Sequence, residues 1–258
     1  METNESIASA SNSVLKGVRA VLAGKDRDRI VLEGDRLIAD ALGAGWQLEV
    51  ILVADDRQEL AQGWEARDLP VRRVLPDLLA RTSGLKTSPG SLAVAARPVE
   101  SGLDSLKLPT DALIVVAAGI GDPGNLGALA RSAEAAGVSA LIIIEGSASP
   151  WNSKTLRGSM GSMLRLPVVE GQSAAQVAEG LKARGIRQVA AGTRGGAPFS
   201  EFNWSGSVAL WMASEAGEMP DVARDFESVS IPMAGGVESL NVAVAGSLLM
   251  FAAERWRE

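Results

Sequence analysis

The amino-acid sequence predicts an α/β protein built on a mostly parallel sheet, with the more regular alternation on the C-terminal side. Three features carry that expectation. Residues 112–118 form a continuous apolar run, the pattern of a strand buried on both faces. Apolar runs of strand length alternate with amphipathic stretches of helix length along most of the chain. Gly, Pro and Ser punctuate the joins. With 258 residues, 47% of them hydrophobic, the chain can bury one large core or two modest ones.

In chain order, residues 11–22 read as a helix, 29–33 as a strand, 35–42 as a helix and 48–53 as a strand. Strands at 71–74 and 91–96 flank a helix at 76–81. Residues 98–110, PVESGLDSLKLPT, are rich in Pro, Ser, Gly and charge and read as a linker. The expected organisation is a smaller N-terminal α/β domain over 1–100, a linker over 101–110 and a C-terminal domain over 111–258. Past the linker, strand 112–118 leads through a turn at 119–124 into a helix at 125–136, closed by Gly137 as the usual C-cap choice. Residues 141–144, 188–191, 208–212 and 229–231 read as strands, and 153–164 and 174–184 as helices. A last helix is expected to open at Glu238 or Ser239 and run to Trp256.

The absences exclude whole classes of chemistry. The chain has no Cys, no His and no Tyr. Disulfides, Cys/His zinc sites, Ser-His-Asp triads, thiolate nucleophiles and imidazole bases are excluded together, as is cytosine-C5 methylation through a cysteine adduct. Proton transfer must use Asp, Glu, Lys, Arg, a terminus, water or the substrate. A carboxylate-only metal site would need an Asp/Glu cluster, and none stands out, so no metal is expected. No apolar run approaches the length of a membrane span, and Met1-Glu2-Thr3-Asn4-Glu5 is too polar and acidic for a signal peptide. A cytoplasmic protein is expected. The net charge of −6 argues against broad nucleic-acid affinity, yet it can hide local patches. Lys154, Arg157 and Arg165 make one patch, and Arg72, Arg73, Arg81 and Lys86 a looser one. Both also read as ordinary solvated surface.

Residues 230–246, SIPMAGGVESLNVAVAG, are the most informative stretch. Pro232 stops a short strand, a Gly-rich turn follows, and free backbone groups then lie beside a helix N-terminus, a ready place for a polar ligand. Asn241 stands among Leu240, Val242, Val244 and Ala245. A buried Asn needs partners for its amide, so it is either structural glue or part of a site. Earlier, Gly119-Ile120-Gly121-Asp122-Pro123-Gly124 matches G-x-G-x-x-G between a strand and a helix, with Glu145 after the next strand. That is the context of a dinucleotide fingerprint, so a nicotinamide-dependent oxidoreductase is an alternative. Against it, Pro123 removes a backbone donor where a pyrophosphate would sit.

On the small-residue helix that follows, Arg131 is the only long cation. It either pairs with Glu134 on a solvated face or clamps a phosphate. Glu215, within Ala213-Ser214-Glu215-Ala216-Gly217-Glu218, follows the C-terminal end of a strand. That is where α/β sheets place ligands, although an ordinary capped turn would look the same.

In this order the pieces resemble the SpoU (TrmH-like) branch of the SPOUT superfamily, RNA ribose 2′-O-methyltransferases. The family's first motif, N-x-G-x-x-x-R-(S/T)-A, is met by Asn125, Gly127, Arg131, Ser132 and Ala133. Its second, G-(S/A)-E-G, resembles Ala213-Ser214-Glu215-Ala216, and its third is met almost continuously from Ile231 to Ala245. Residues 150–167 resemble the family's connecting segment. Residues 30–56, with LKTSPGSLAVAARP further on, are similar to an L30e-like substrate-binding domain.

The resemblance implies a deep trefoil knot in the C-terminal domain, a rare exception to unknotted connections. It also implies a homodimer, with S-adenosylmethionine bent in the knot. Ala213, Gly217, Ile231, Met233 and Leu240 would then bind the cofactor. Asn125, Arg131, Glu215, Ser239 and Asn241 would form the catalytic set. Ala213 and Ala216 stand where the family has glycine, which adds methyl groups beside the cofactor.

The implied reaction is an in-line displacement in which a ribose 2′-oxygen attacks a sulfonium methyl and the protein aligns the two. Arg131 matches the residue often proposed as the base, yet a guanidinium keeps its proton at neutral pH. Arg131 is therefore expected to grip the RNA phosphate and the 2′-oxygen, the proton leaving through that phosphate, a water or a transiently neutral Arg131. Glu215 and Asn125 would orient Arg131 and the ribose, while Ser239 and Asn241 hold the helix opening. Lys154 and Arg157 beside Trp151 are the expected RNA contact, Trp151 alternatively being core or dimer interface. The expected substrate is structured RNA, 23S rRNA first and tRNA second. A relative that binds RNA without catalysis is the remaining alternative.

Overall fold

The computed structural model of the chain describes residues 6–83, 85–99, 102–192, 195–213 and 219–256. The chain divides into two compact units, Met1–Pro98 with Trp151–Arg157, and Val99–Pro150 with Gly158–Glu258. Among the described residues no helix is long and apolar enough to cross a membrane.

The first unit contains α1 (Ser13–Leu22), β1 (Arg29–Glu33), α2 (Asp35–Gly43), β2 (Leu48–Ala54), α3 (Gln58–Glu65), β3 (Val71–Val74), α4 (Pro76–Ser83) and β4 (Ser91–Ala96). Its sheet runs β1-β4-β2-β3, with β4 antiparallel to both β1 and β2, and β3 parallel to β2. Leu15, Val18, Val31, Leu52, Val74, Leu79 and Leu92 close its core. The sequence reading has no counterpart for α3. Only Ala61 and Trp64 of that helix are buried, too few to write an apolar stripe.

Further along the chain come β5 (Leu113–Ala118), α5 (Pro123–Ala135), β6 (Ala140–Ile144), α6 (Ser153–Ser159), α7 (Ser162–Arg165), β7 (Val168–Gln172), α8 (Ala174–Ala183), β8 (Arg187–Gly192), β9 (Ala197–Pro198), β10 (Val208–Ala213), β11 (Glu227–Ser230) and α9 (Val242–Arg255). Seven strands form one sheet in the order β7-β6-β5-β10-β8-β11-β9, and every pairing is parallel. The central strands β5 and β10 are almost wholly buried, as a sheet covered on both faces requires. From β5 the chain steps out through β6 and β7 to one edge, and its later strands fill the other side. Strand order thus reverses beside β5, and carboxyl ends of strands near such a reversal open a crevice for ligands.

Three of the boundaries that differ from the sequence reading have a clear local cause. The helix expected over 153–164 is two helices, because Met160 (φ 49°) and Gly161 (φ 85°) both take left-handed conformations between α6 and α7. Helix α5 begins at Pro123 rather than Asn125, since Asp122 caps it and Pro fits the first helical position. Helix α9 begins at Val242, not at Glu238 or Ser239. Asn241 has a non-helical ψ of 136° and its side chain accepts from Ala243 N, so it is the cap and residues 231–241 remain loop.

Helices α5 and α9 pack closely. A Cβ added at Gly246 would lie 2.5 Å from Leu129 Cδ1, which is why this position of α9 carries no side chain.

Candidate active site

The first turns of α5 and α9 are joined side chain to side chain. Asn241 Nδ2 donates to Asn125 Oδ1 at 3.0 Å, while Asn241 Oδ1 accepts from Ala243 N at 3.0 Å. The sequence places Asn241 among apolar neighbours and so suggests a buried amide. It is instead exposed, because at the cap its side chain points out of the helix. One turn further on, Ser247 Oγ shares a 2.6 Å hydrogen bond with Ser132 Oγ and donates to Ala243 O. Asn125 and Ser132 therefore fix α5, the helix that carries Arg131, against α9.

Arg131 is exposed, and of its two alternative readings the pairing with Glu134 does not form. Arg165 of α7 takes both Glu134 oxygens, with Nε to Oε1 at 2.5 Å and Nη2 to Oε2 at 2.8 Å. Hydrogen bonds from the Arg165 guanidinium hold the Glu134 carboxyl below the usual carboxylate range, against the opposing effect of burial. Arg131 has no ion pair or hydrogen bond of its side chain among the described residues. Its fork of donors is left for a ligand.

A cleft lies at the C-terminal ends of β8 and β10, with about 560 Å³ of empty space open to solvent. Four of the five residues expected to bind the cofactor line it: Ala213 at the end of β10, and Ile231, Met233 and Leu240 in the loop between β11 and α9. Ser239 lines it too, from the loop rather than from the opening of the helix as expected. Gly217 and Glu215 lie outside the described residues, as do Ser214 and Ala216. Sequence reasoning passed over Ala191 and Gly192 of β8, Met212, Glu238, Val242 and Leu249. Ala191 and Gly192 end a strand beside the reversal of strand order, and that was the available signal. Concave sites with mainly aliphatic walls and a few polar groups are typical of small-molecule sites.

The basic patch needs correction. Lys154 is exposed on α6, but Arg157 is bonded to Glu33 and to Ser153 Oγ. The Glu33 side chain is only 1% exposed, and burial lowers the affinity of the Arg157 guanidinium for its proton. Arg157 is thus half-buried and already paired with a carboxylate, not a freely solvated cation. Trp151 packs tilted against Trp46, with ring centroids 5.9 Å apart. In the looser patch, Arg73 is committed to Glu65 at 3.1 Å.

The fold and cleft define an α/β domain with an open cleft at its strand ends, where such sheets place small ligands. The model of the SpoU rRNA methylase family matches residues 112–251. Over 253 residues the chain is 31% identical to the 23S rRNA (guanosine(2553)-2'-O)-methyltransferase RlmP of Bacillus subtilis (strain 168), covering 95% of this chain and 97% of that protein. Over 237 residues it is 31% identical to the 23S rRNA (uridine(2479)-2'-O)-methyltransferase of Streptomyces viridochromogenes, covering 87% and 82%. The solved structure of the AdoMet-bound rRNA methyltransferase from Sinorhizobium meliloti superposes with a TM-score of 0.86 at 26% identity, covering 97% of each chain. The chain belongs to the SpoU rRNA methylase family.

That membership displaces the nicotinamide-dependent alternative. The Gly119–Gly124 fingerprint lies inside the matched region, and its helix end is already used. Asp122 Oδ1 accepts from Asn125 N at 2.9 Å, and Pro123 has no N–H, so two of the backbone donors a pyrophosphate would take are missing.

Proposed function

We propose that the chain methylates a ribose 2′-hydroxyl of 23S rRNA, with S-adenosylmethionine as methyl donor. The observation that carries this is the Asn241–Asn125 bond. It joins the helix bearing Arg131 to the loop of Ser239 and Leu240, which lines the cleft. The relatives' names give the substrate class, since both act on ribose 2′-oxygens of 23S rRNA.

The cleft suits this cofactor. Aliphatic walls from Met212, Leu240, Val242 and Leu249 fit a purine, and Glu238 is the one anionic side chain among the described residues that line the cleft. Ala213, Gly217, Ile231, Met233 and Leu240 would hold it. When bound, it supplies an already activated methyl group. What is left for the protein is alignment, exclusion of water and handling of one proton. Arg131 grips the phosphate and the 2′-oxygen of the target nucleotide through its planar fork. Asn125 and Asn241 keep α5 and α9 in register, and Ser239 and Glu215 complete the polar rim. The proton passes to the RNA phosphate or to water, since Arg131 keeps its own at neutral pH.

Lys154 contributes to RNA contact. The same reading includes the knot around the cofactor loop, an L30e-like role for the N-terminal unit, and action in the cytoplasm, where ribosomes are. It also includes a homodimer, supported by the exposed apolar side chains Val244, Leu248 and Phe251 along α9.

The deciding experiment incubates the protein with labelled S-adenosylmethionine and total RNA from a strain lacking it. Label is expected in 23S rRNA, at a linkage that resists alkali. Label confined to bases, or to tRNA, would overturn the assignment.

A further inference from the structure

Glu238 lies in a wall shared by two hollows. One is the apolar cleft. The other is a neighbouring, more polar hollow of about 780 Å³ bounded by Gly195, Ser230, Pro232 and the loop Gly235-Gly236-Val237. Ile231, Met233 and Glu238 line both. Among the described residues Glu238 is the only ionisable side chain lining either hollow, and no cation or hydrogen-bond donor engages its carboxylate. The loop beside it stands clear, for a Cβ on Gly235 or Gly236 would meet no atom within 4 Å. An anion set at the edge of an aliphatic cleft without a counter-charge favours a cationic ligand over a neutral one of the same shape.

On the reading given above, substrate and product of the cofactor cycle differ in just such a charge. S-adenosylmethionine carries a sulfonium. S-adenosylhomocysteine has a neutral thioether in its place and keeps the same ammonium and carboxylate. We propose that Glu238 reads the sulfonium charge, retaining the methyl donor and letting the demethylated product leave. This inference rests on the proposed cofactor. It concerns the order of affinities within the cleft, which the fold does not specify.

The test is calorimetric titration of the full chain and of Glu238→Gln with three ligands. They are S-adenosylmethionine, S-adenosylhomocysteine and sinefungin, whose amine replaces the sulfonium and is protonated near neutral pH. Gln keeps the shape and removes the charge. In Glu238→Gln the two cationic ligands should weaken roughly five- to thirty-fold while S-adenosylhomocysteine changes by less than about two-fold. A thermal melt checks that the variant folds as the parent does. Equal weakening of all three ligands overturns the proposal, because Glu238 would then be reading the shared ammonium or acting sterically. Unchanged affinity for all three also overturns it. If the parent chain binds none of the three, the cofactor reading itself fails.

Discussion

Asn241 and Asn125 stand 116 residues apart in the chain and are hydrogen-bonded at 3.0 Å, tying the first turn of α9 to the first turn of α5. The same Asn241 side chain caps α9 through Ala243 N. One residue thus ends the cleft loop, starts a helix and fixes that helix against the one that carries Arg131.

Asn241→Ala removes both bonds and should lower stability by about 1–2 kcal/mol, whereas Asn125→Ala removes only the bridge and should cost about 1 kcal/mol or less. Urea unfolding of the two variants measures the difference. Equal losses would mean that the cap contributes nothing.

Arg131→Lys keeps the charge but discards the planar fork that can hold a phosphate and a 2′-oxygen at once. Turnover should fall by more than about 100-fold, the scale of losing a positioned transition-state donor. Calorimetry should find cofactor affinity unchanged, as Arg131 is not among the residues lining the cleft. Near-normal turnover would remove Arg131 from the chemistry.

Arg165 occupies Glu134, so among the described residues Arg131 has no carboxylate partner on α5. In Arg165→Ala, Glu134 becomes available to Arg131 three residues away on α5. Turnover should drop several-fold at unchanged cofactor affinity, and the double variant Glu134→Ala/Arg165→Ala should recover it. The pair also predicts a pH dependence. Glu134 is held below its ordinary value of 4.5 by Arg165, so its folded pKa is the lower one. The stabilisation is therefore complete above the ordinary value and is lost as pH falls through the folded value. The stability gap between the parent and Glu134→Gln should be present at neutral pH and close in acid, measured by denaturant unfolding across pH. A gap that widens in acid would contradict the pairing.

How much of this is legible in the sequence depends on which forces write it. β5 and β10 are plain because burial on both faces leaves no polar position within them. β7 is not, since Val169 is its only buried residue and Gly171 interrupts it. The break after α6 is hidden, because nothing local marks Met160 as left-handed. Asn125, Arg131 and Asn241 stand out through motif spacing, yet their partners do not. Arg165 reaches Glu134 only because α7 returns to α5, and Arg157 meets Glu33 across 124 positions. An ion pair of that separation leaves no periodic trace, so the sequence reading took both arginines for a solvent-facing patch.

Arg157 and Lys154 of the basic patch separate cleanly by experiment. Arg157→Ala strands a buried Glu33 carboxylate and should destabilise the protein by about 3–5 kcal/mol, the usual effect of breaking one side of a buried pair. Lys154→Ala should leave stability within about 0.5 kcal/mol, as surface substitutions do. On the proposed RNA contact, it should instead reduce the salt slope of RNA binding by about 0.7–0.9. Filter binding over a range of ionic strength gives the slope. An unchanged slope would take Lys154 out of the RNA contact.

The outer face of α9 bears on where the active site ends. Val244, Leu248 and Phe251 recur at helical spacing and are exposed, while Gly246, Leu249, Met250 and Ala253 are buried on the other side. A helix apolar on both sides is stable in water only when its outer face is covered. If a second copy covers it, sedimentation velocity should give a dimer for the parent, and Phe251→Asp should give a monomer by burying a charge in that contact. A monomeric parent would exclude the dimer. Turnover measured on the same samples then locates the site. If the partner supplies part of it, activity should fall in step with the dimer fraction. Full activity in monomeric Phe251→Asp would confine the whole site to one chain.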